Sequence, residues 1–172
     1  MTAIVKTKGV TRFMQEGPDY YEVLPQIAER MNCQTYFEVG VNTGRSLMGI
    51  KAASIGVDPL FRLKVEVMGT KPMLQLYQMT SDDFFARYSP KELFGKPVDL
   101  AFLDGMHLFE FLLRDFINTE TQMHENSVIL LHDCLPINAE MTERQRNGLA
   151  RKDVEYRGYW TGDVWKMIPV LK

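Results

Sequence analysis

The stretch FEVGVNTGRS, residues 37–46, decides how this chain is read. It opens inside TYFEV, residues 35–39, a short apolar run with the look of a buried strand. Glu38, Gly40 and Gly44 then fall in the spacing E-x-G-x-x-x-G, with Asn42 and Thr43 between the glycines. Glycine lets a backbone approach a ligand closely and take angles closed to other residues. The helix predicted next, over residues 43–53, offers the free N–H groups of its first turn to whatever lies there.

Working outward, SIGV (54–57), MLQLYQM (73–79), VDLAFL (98–103) and SVILL (127–131) read as four further strands. SVILL is continuous in apolar residues, as a central strand covered on both faces should be. Ser81 is placed to cap a short helix over residues 82–88. Residues 108–123 read as a helix with Leu108, Phe109, Leu112, Leu113, Phe116 and Ile117 on one side and a Glu110–Arg114 pair on the other. Upstream, Asp19 and Glu22 open a helix whose apolar face is Tyr20, Val23, Leu24, Ile27, Ala28 and Met31. Pro25 has no N–H and is expected near the first turn of that helix. Residues 60–72 read as a loop or short helix, residues 135–159 as irregular, and residues 1–17 as an arm or lid. Strand and helix in alternation predict one α/β domain over residues 1–172, a Rossmann-like, doubly wound, mainly parallel sheet.

In such sheets ligands bind beyond the carboxyl ends of the strands. The polar residues collect at those ends: Glu38 and the Gly40–Gly44 turn, then Asp58-Pro59, Thr80-Ser81-Asp82, Asp104-Gly105 with His107 close by, and His132-Asp133. Asp58, at the end of the second strand, can accept hydrogen bonds from both hydroxyls of a ribose, which points to a nucleoside. A dinucleotide fingerprint begun at Gly40 would need glycines where Asn42 and Arg45 stand, and no P-loop run occurs. Glu38 would repel a diphosphate and suits a cationic ligand.

Composition narrows the classes. The net charge of -2 gives no basic face for nucleic acid and no polybasic membrane patch. No run approaches the roughly 20 apolar residues of a membrane span, and the N-terminus lacks the apolar core of a signal peptide. Two distant cysteines, Cys33 and Cys134, are read as free thiols, so a cytoplasmic location is expected. His124 is read as solvent-exposed, Trp165 as a packing residue, and the eleven methionines as gap-fillers.

The Glu38–Gly44 run resembles motif I of the class I S-adenosylmethionine-dependent methyltransferases. Taken in order, FEVGVNTGRSL, IGVDP, MTSDDFF, DLAFLDGMHLFEFLLRDF, VILLHDCLP and WTGDVWK look like a bacterial small-molecule methyltransferase family of that class. The resemblance implies S-adenosylmethionine as cofactor. Glu38 and the turn Gly40, Asn42, Thr43, Gly44 would face its methionine part, Asp58 and Pro59 its ribose, and Ser81 and Asp82 its adenine edge. Asp104, Gly105 and His107 would border the sulfonium and the acceptor pocket.

The partner is then a small-molecule methyl acceptor, and O-methylation by in-line displacement is the expected reaction. His107 and His132, with Asp104 beside them, are the candidate catalytic residues, since imidazole titrates near neutral pH. Asp104, His132 and Asp133 form a candidate set for Mg²⁺ or Mn²⁺, but Cys134 stands where a third hard ligand is usual, so a metal is not favoured. The fold class has seven strands, and the segment after residue 131 has room for one short strand at IPVLK, not a closing hairpin. The edge so left bare predicts a homodimer. Two alternatives stay open: a catalytically silent nucleoside-binding or assembly module, and a nicotinamide-linked oxidoreductase.

Overall fold

The computed structural model describes residues 2–7, 10–15, 17–146, 152, 156 and 158–172. Five strands make an all-parallel sheet: β3 (Thr35–Val39), β4 (Ala53–Val57), β5 (Leu74–Tyr77), β6 (Val98–Leu103) and β7 (Met123–Leu131), in the order β5-β4-β3-β6-β7. β3, the strand that carries FEV, lies at the centre with all five residues buried. The chain runs from β3 to one edge, returns, and crosses to β6 on the other side. The strand order therefore reverses at β3, and ligand crevices form at such reversals. Val39 is level with Val57 on one side and Leu103 on the other, so all three strands end together. The residues that follow them, Gly40, Asp58 and Asp104, emerge along one edge.

Alternation along the strands builds two cores. Phe37, Val39, Ile55, Val57 and Leu103 face one layer, which contains Phe84, Leu112 and Met167. Tyr36, Leu100 and Phe102 face the other, which contains Leu24, Ala28, Leu47 and Ile50. The sheet is thus covered on both faces, as predicted. SVILL was expected at its centre, but β7 is an edge strand and residues 127–131 are only half-buried. An unbroken apolar run does not tell a central strand from an edge strand whose faces are both partly covered.

The helices depart from the sequence reading in several places. α1 (Tyr20–Arg30) is capped by Asp19, which accepts from the Tyr21 N–H, but Pro25 falls beyond its first turn. α2 (Arg45–Met48) is four residues long rather than eleven; it ends at Gly49, and Ala53 already belongs to β4. α3 (Ser81–Phe85) is capped by Thr80 and not Ser81. α4 (Pro90–Phe94) was not predicted, although Ser89 at its cap, Pro90 in its first turn and Glu92 behind it form a recognisable start.

α5 (Phe109–Glu120) stops short of Met123, which opens β7. Ile117 on α5 is 50% exposed, and Asp115 and Thr119 are buried instead. Arg114 does not pair with the Glu110 carboxylate: its guanidinium holds Asp82 at 2.7 and 2.9 Å, while Glu110 holds Arg144. IPVLK does not form a strand; α6 (Met167–Val170) lies there.

β1 (Thr2–Thr7) and β2 (Val10–Gln15) form an antiparallel pair, giving the N-terminal arm a hairpin that was not foreseen. Of the segment read as irregular, residues 139–142 form a single 3-10 turn and part of the rest lies outside the described residues. Trp165, read as a packing residue, is 40% exposed. No helix among the described residues is long and apolar enough to cross a membrane.

Phe84 anchors the first core layer: it is fully buried, with its ring 5.6 Å from Phe37 and 4.9 Å from Tyr77. Phe84→Ala is expected to cost about 3–5 kcal/mol of stability by denaturant titration, the range for emptying a buried aromatic site. A loss under about 1 kcal/mol would show that this layer does not pack as described.

Candidate active site

At Gly40 the chain leaves β3 between the ends of β4 and β6. The Gly40 N–H donates to the Val57 carbonyl at 2.9 Å, and the Asp104 N–H donates to the Val39 carbonyl at 2.8 Å. Gly40 has φ +91°, and a Cβ there would lie 1.9 Å from the Asp104 carbonyl oxygen. Only glycine fits, and the two backbones meet. Beyond this contact opens a cavity of about 510 Å³, within the usual range for a small-molecule site.

Nine of the predicted residues line it: Gly40, Asn42, Asp58, Pro59, Ser81, Asp82, Asp104, Gly105 and His107. Arg62, Met106 and Phe111 line it as well and were missed; all three sit in or beside the loops that carry the predicted acids, so loop proximity was the available signal. Asp58 accepts from the Asn42 N–H through Oδ2 and from the Leu60 N–H through Oδ1, both at 2.7 Å. Each oxygen keeps a lone pair for a ligand hydroxyl. Asp82 lies on the wall with both oxygens engaged by Arg114.

Glu38 is not on the wall. It is fully buried beneath the turn, where it accepts from the hydroxyls of Tyr36 and Ser46. Burial pushes its carboxyl up to about 7 against the pull of those hydrogen bonds. Thr43 and Gly44 are likewise absent from the lining: the Lys64 N–H bonds the Thr43 carbonyl, and Val67 and Leu63 cover Gly44. Sequence spacing placed Glu38 beside the other acids. Its strand position, two residues on from Tyr36 and so on the same face, turns it into the core instead.

Behind Asp104 and His107 on the wall, His132 and Asp133 complete a cluster at the ends of β6 and β7 and are not themselves part of the lining. His132 Nδ1 lies 3.0 Å from Asp104 Oδ1 and 3.4 Å from Asp133 Oδ2. His107 places Nε2 3.5 Å from Asp104 Oδ1 and Nδ1 3.2 Å from Asp133 Oδ2. Asp133 reaches both rings from a left-handed backbone, φ 57°, which aspartate tolerates better than most residues. Burial pushes the Asp104 carboxyl up, but hydrogen bonds and charge from His107 and His132 outweigh it and hold the carboxyl below its usual range.

Burial likewise opposes charge on both histidines, and the carboxylates overcome it. His107 is raised and His132 reaches about 10. The His132 ring thus keeps its proton at neutral pH. The ring of Tyr20, also missed, lies 4.4 Å from His132. His124 is on the opposite sheet end, exposed and bonded to Asp99 at 2.9 Å.

Asp104, His107 and Asp133 offer ligand atoms all within 4.8 Å of one another, so these three can hold a divalent cation; the sequence reading had grouped His132 with the two acids. Cys134 points elsewhere, its thiol donating to the carbonyls of His132 and Val164, and burial raises that thiol to about 11. Cys33 and Cys134 are both free thiols.

A parallel sheet with a glycine turn at its switch point and acids on either side of the crevice is a doubly wound fold with its ligand site beyond the strand ends. Residues 37–134, more than half of the chain, match the family described as the methyltransferase domain, and the chain belongs to it. It is a class I S-adenosylmethionine-dependent methyltransferase. Comparison with curated proteins returns no match.

The raised His132 makes stability depend on pH. An unfolded histidine loses its proton near 6.5, whereas the folded one keeps it to about 10. The contribution is therefore complete below about pH 6.5 and is lost as pH rises through about 10. His132→Gln should destabilise the protein by about 2–3 kcal/mol at pH 6, allowing for screening of the partly exposed ring, and by much less at pH 10.5. Denaturant titrations of both proteins across that interval check this; a pH-independent difference contradicts the charge assignment.

Proposed function

We propose that the protein transfers a methyl group from S-adenosylmethionine to a hydroxyl oxygen of a small molecule. The observation that carries this reading is the pairing of Asp58 and Asp104 on one cavity, either side of the Gly40 turn. The donor set fits the cofactor: carboxylate oxygens for a ribose diol and negative charge for a sulfonium.

S-adenosylmethionine supplies an electrophilic methyl group on a positively charged sulfur. Asp58 accepts from the ribose hydroxyls while its backbone bonds keep it in place. Ser81 and Asp82 meet the adenine edge, and the Gly40–Asn42 turn meets the methionine part. Asp104, held below its usual carboxyl range by His107 and His132, provides negative charge beside the cationic centre. His132 is the proton-handling group for the acceptor, because His107 spends both ring nitrogens on protein partners whereas Nε2 of His132 has none among the described residues. At neutral pH that nitrogen donates to an acceptor oxygen whose proton has passed to solvent; it takes the proton itself only in more alkaline solution. Aligning acceptor and donor in one cavity lowers the barrier by several kcal/mol.

The whole chain acts as one domain in this reading, in the cytoplasm and without nucleic acid or membrane as partner. β7 has one edge unpaired among the described residues, which supports association of two copies. A second reading rests on Asp104, His107 and Asp133, which would hold Mg²⁺ or Mn²⁺ and use it to lower the pKa of the acceptor hydroxyl.

Calorimetry with S-adenosylhomocysteine and with NAD decides the cofactor: binding of the first alone is expected, and binding of NAD alone would move the protein to oxidoreductase chemistry. Asp58→Ala should weaken S-adenosylhomocysteine by ~1–3 kcal/mol, as for hydrogen bonds to a charged group. Incubation with labelled S-adenosylmethionine and a metabolite extract should yield labelled product; none, with the cofactor still bound, favours a silent module. EDTA should leave that product unchanged, and a loss restored by Mg²⁺ would establish the metal reading.

A further inference from the structure

We propose that the tetrapeptide WTGD, Trp160–Asp163, is a clamp that positions His107 over the cavity, making Trp160, Gly162 and Asp163 positioning residues of the methyl-transfer site proposed above. His107 needs such a device. It lies in the loop between β6 and α5, where no regular element fixes its backbone. WTGD lies outside residues 37–134, the part that defines the family, and still makes three separate attachments to this loop.

The first attachment holds the ring. The Trp160 carbonyl oxygen lies 2.7 Å from His107 Nδ1. A carbonyl only accepts, so Nδ1 carries a proton and the orientation of the imidazole is set. The indole of Trp160 stacks on the same ring, with centroids 5.1 Å apart and planes 11° from parallel. That indole is itself pinned, its N–H donating to the Glu143 carbonyl at 2.6 Å.

The second attachment is backbone against backbone. Gly162 has φ +58°, and a Cβ there would lie 1.7 Å from the His107 carbonyl oxygen. Any side chain would push the His107 loop away. The N–H groups of Thr161 and Gly162 both donate to the Met141 carbonyl, so the clamp is braced from behind.

The third attachment fixes the start of α5. Leu108 stands at the N-cap of that helix and has no side chain able to cap it. Asp163 does so from 54 residues away, accepting from the Phe109 N–H at 2.8 Å through Oδ1. Its other oxygen takes Arg144 at 2.6 Å and Lys166 at 2.8 Å. The carboxylate is buried, and these partners keep it ionised there.

The test uses the full-length protein saturated with S-adenosylhomocysteine and follows the His107 ring protons by NMR. In the wild type they should be displaced upfield by the ring current of Trp160, which stacks on the imidazole. Gly162→Ala should abolish that displacement and reduce labelled product from S-adenosylmethionine and the metabolite extract by about 10²-fold, the effect of a misplacement near 1 Å, while affinity for S-adenosylhomocysteine holds. Trp160→Phe keeps both carbonyl and stack and should retain the displacement and most of the product. Trp160→Leu, which removes the stack without crowding the backbone, should lose the displacement and serves should Gly162→Ala not fold. A wild type without the displacement, or variants that keep full product formation after losing it, would overturn the clamp. Failure of the wild type to bind S-adenosylhomocysteine would instead overturn the methyl-transfer reading, with the ring-proton shift in the free protein still deciding whether the clamp exists.

Discussion

The site depends on one close approach, that of the Gly40 backbone to the Asp104 carbonyl. Strand β3 is paired on both sides, and its hydrogen-bond ladder continues past its last residue into Gly40 on the β4 side and Asp104 on the β6 side. There is no space for a side chain at the exit. The strand ends are therefore level, and the loops after β4 and β6 open away from each other around the turn. Asp58 and Asp104 stand on opposite lips of the crevice because the reversal of strand order leaves no crossover loop to fill the gap between them.

The acids at this edge are stabilised in three different ways. Glu38 is buried with two hydroxyl donors and belongs to the framework of the turn. Asp58 is held by backbone N–H groups and keeps acceptor capacity toward the cavity. Asp104 is held by His107 and His132, which it shares with Asp133, and their hydrogen bonds and charge keep its carboxyl below the usual range. In the proposed reaction, charge beside the sulfonium and proton handling at the acceptor come from this one group.

The five strands of the parallel sheet were legible because their apolar runs are short and bounded by turn residues, and Asp58 and Asp104 were legible because each directly follows a strand. What escaped the sequence depends on partners far along the chain. Glu110 and Arg114 have ideal helical spacing, but Asp82 offers Arg114 a bidentate partner and Arg144 takes Glu110. Asp163 caps a helix that begins 54 residues earlier, for which no local signal exists. Helix α2 was overestimated because its apolar residues continue past Gly49, where the chain in fact turns back to begin β4. The resemblance to the class I methyltransferases was confirmed by the family match over residues 37–134, whereas the burial of Glu38 could not be foreseen without knowing which face of β3 meets Ser46.

A crystal structure of the protein with S-adenosylhomocysteine tests the central claim most directly. The adenosine should occupy the cavity between Asp58 and Asp104, with both ribose hydroxyls on the Asp58 carboxylate and the sulfur next to Asp104. A nucleoside bound at any other place, or an Asp58 that contacts only Asn42 and Leu60 while the ligand is ordered, would contradict it.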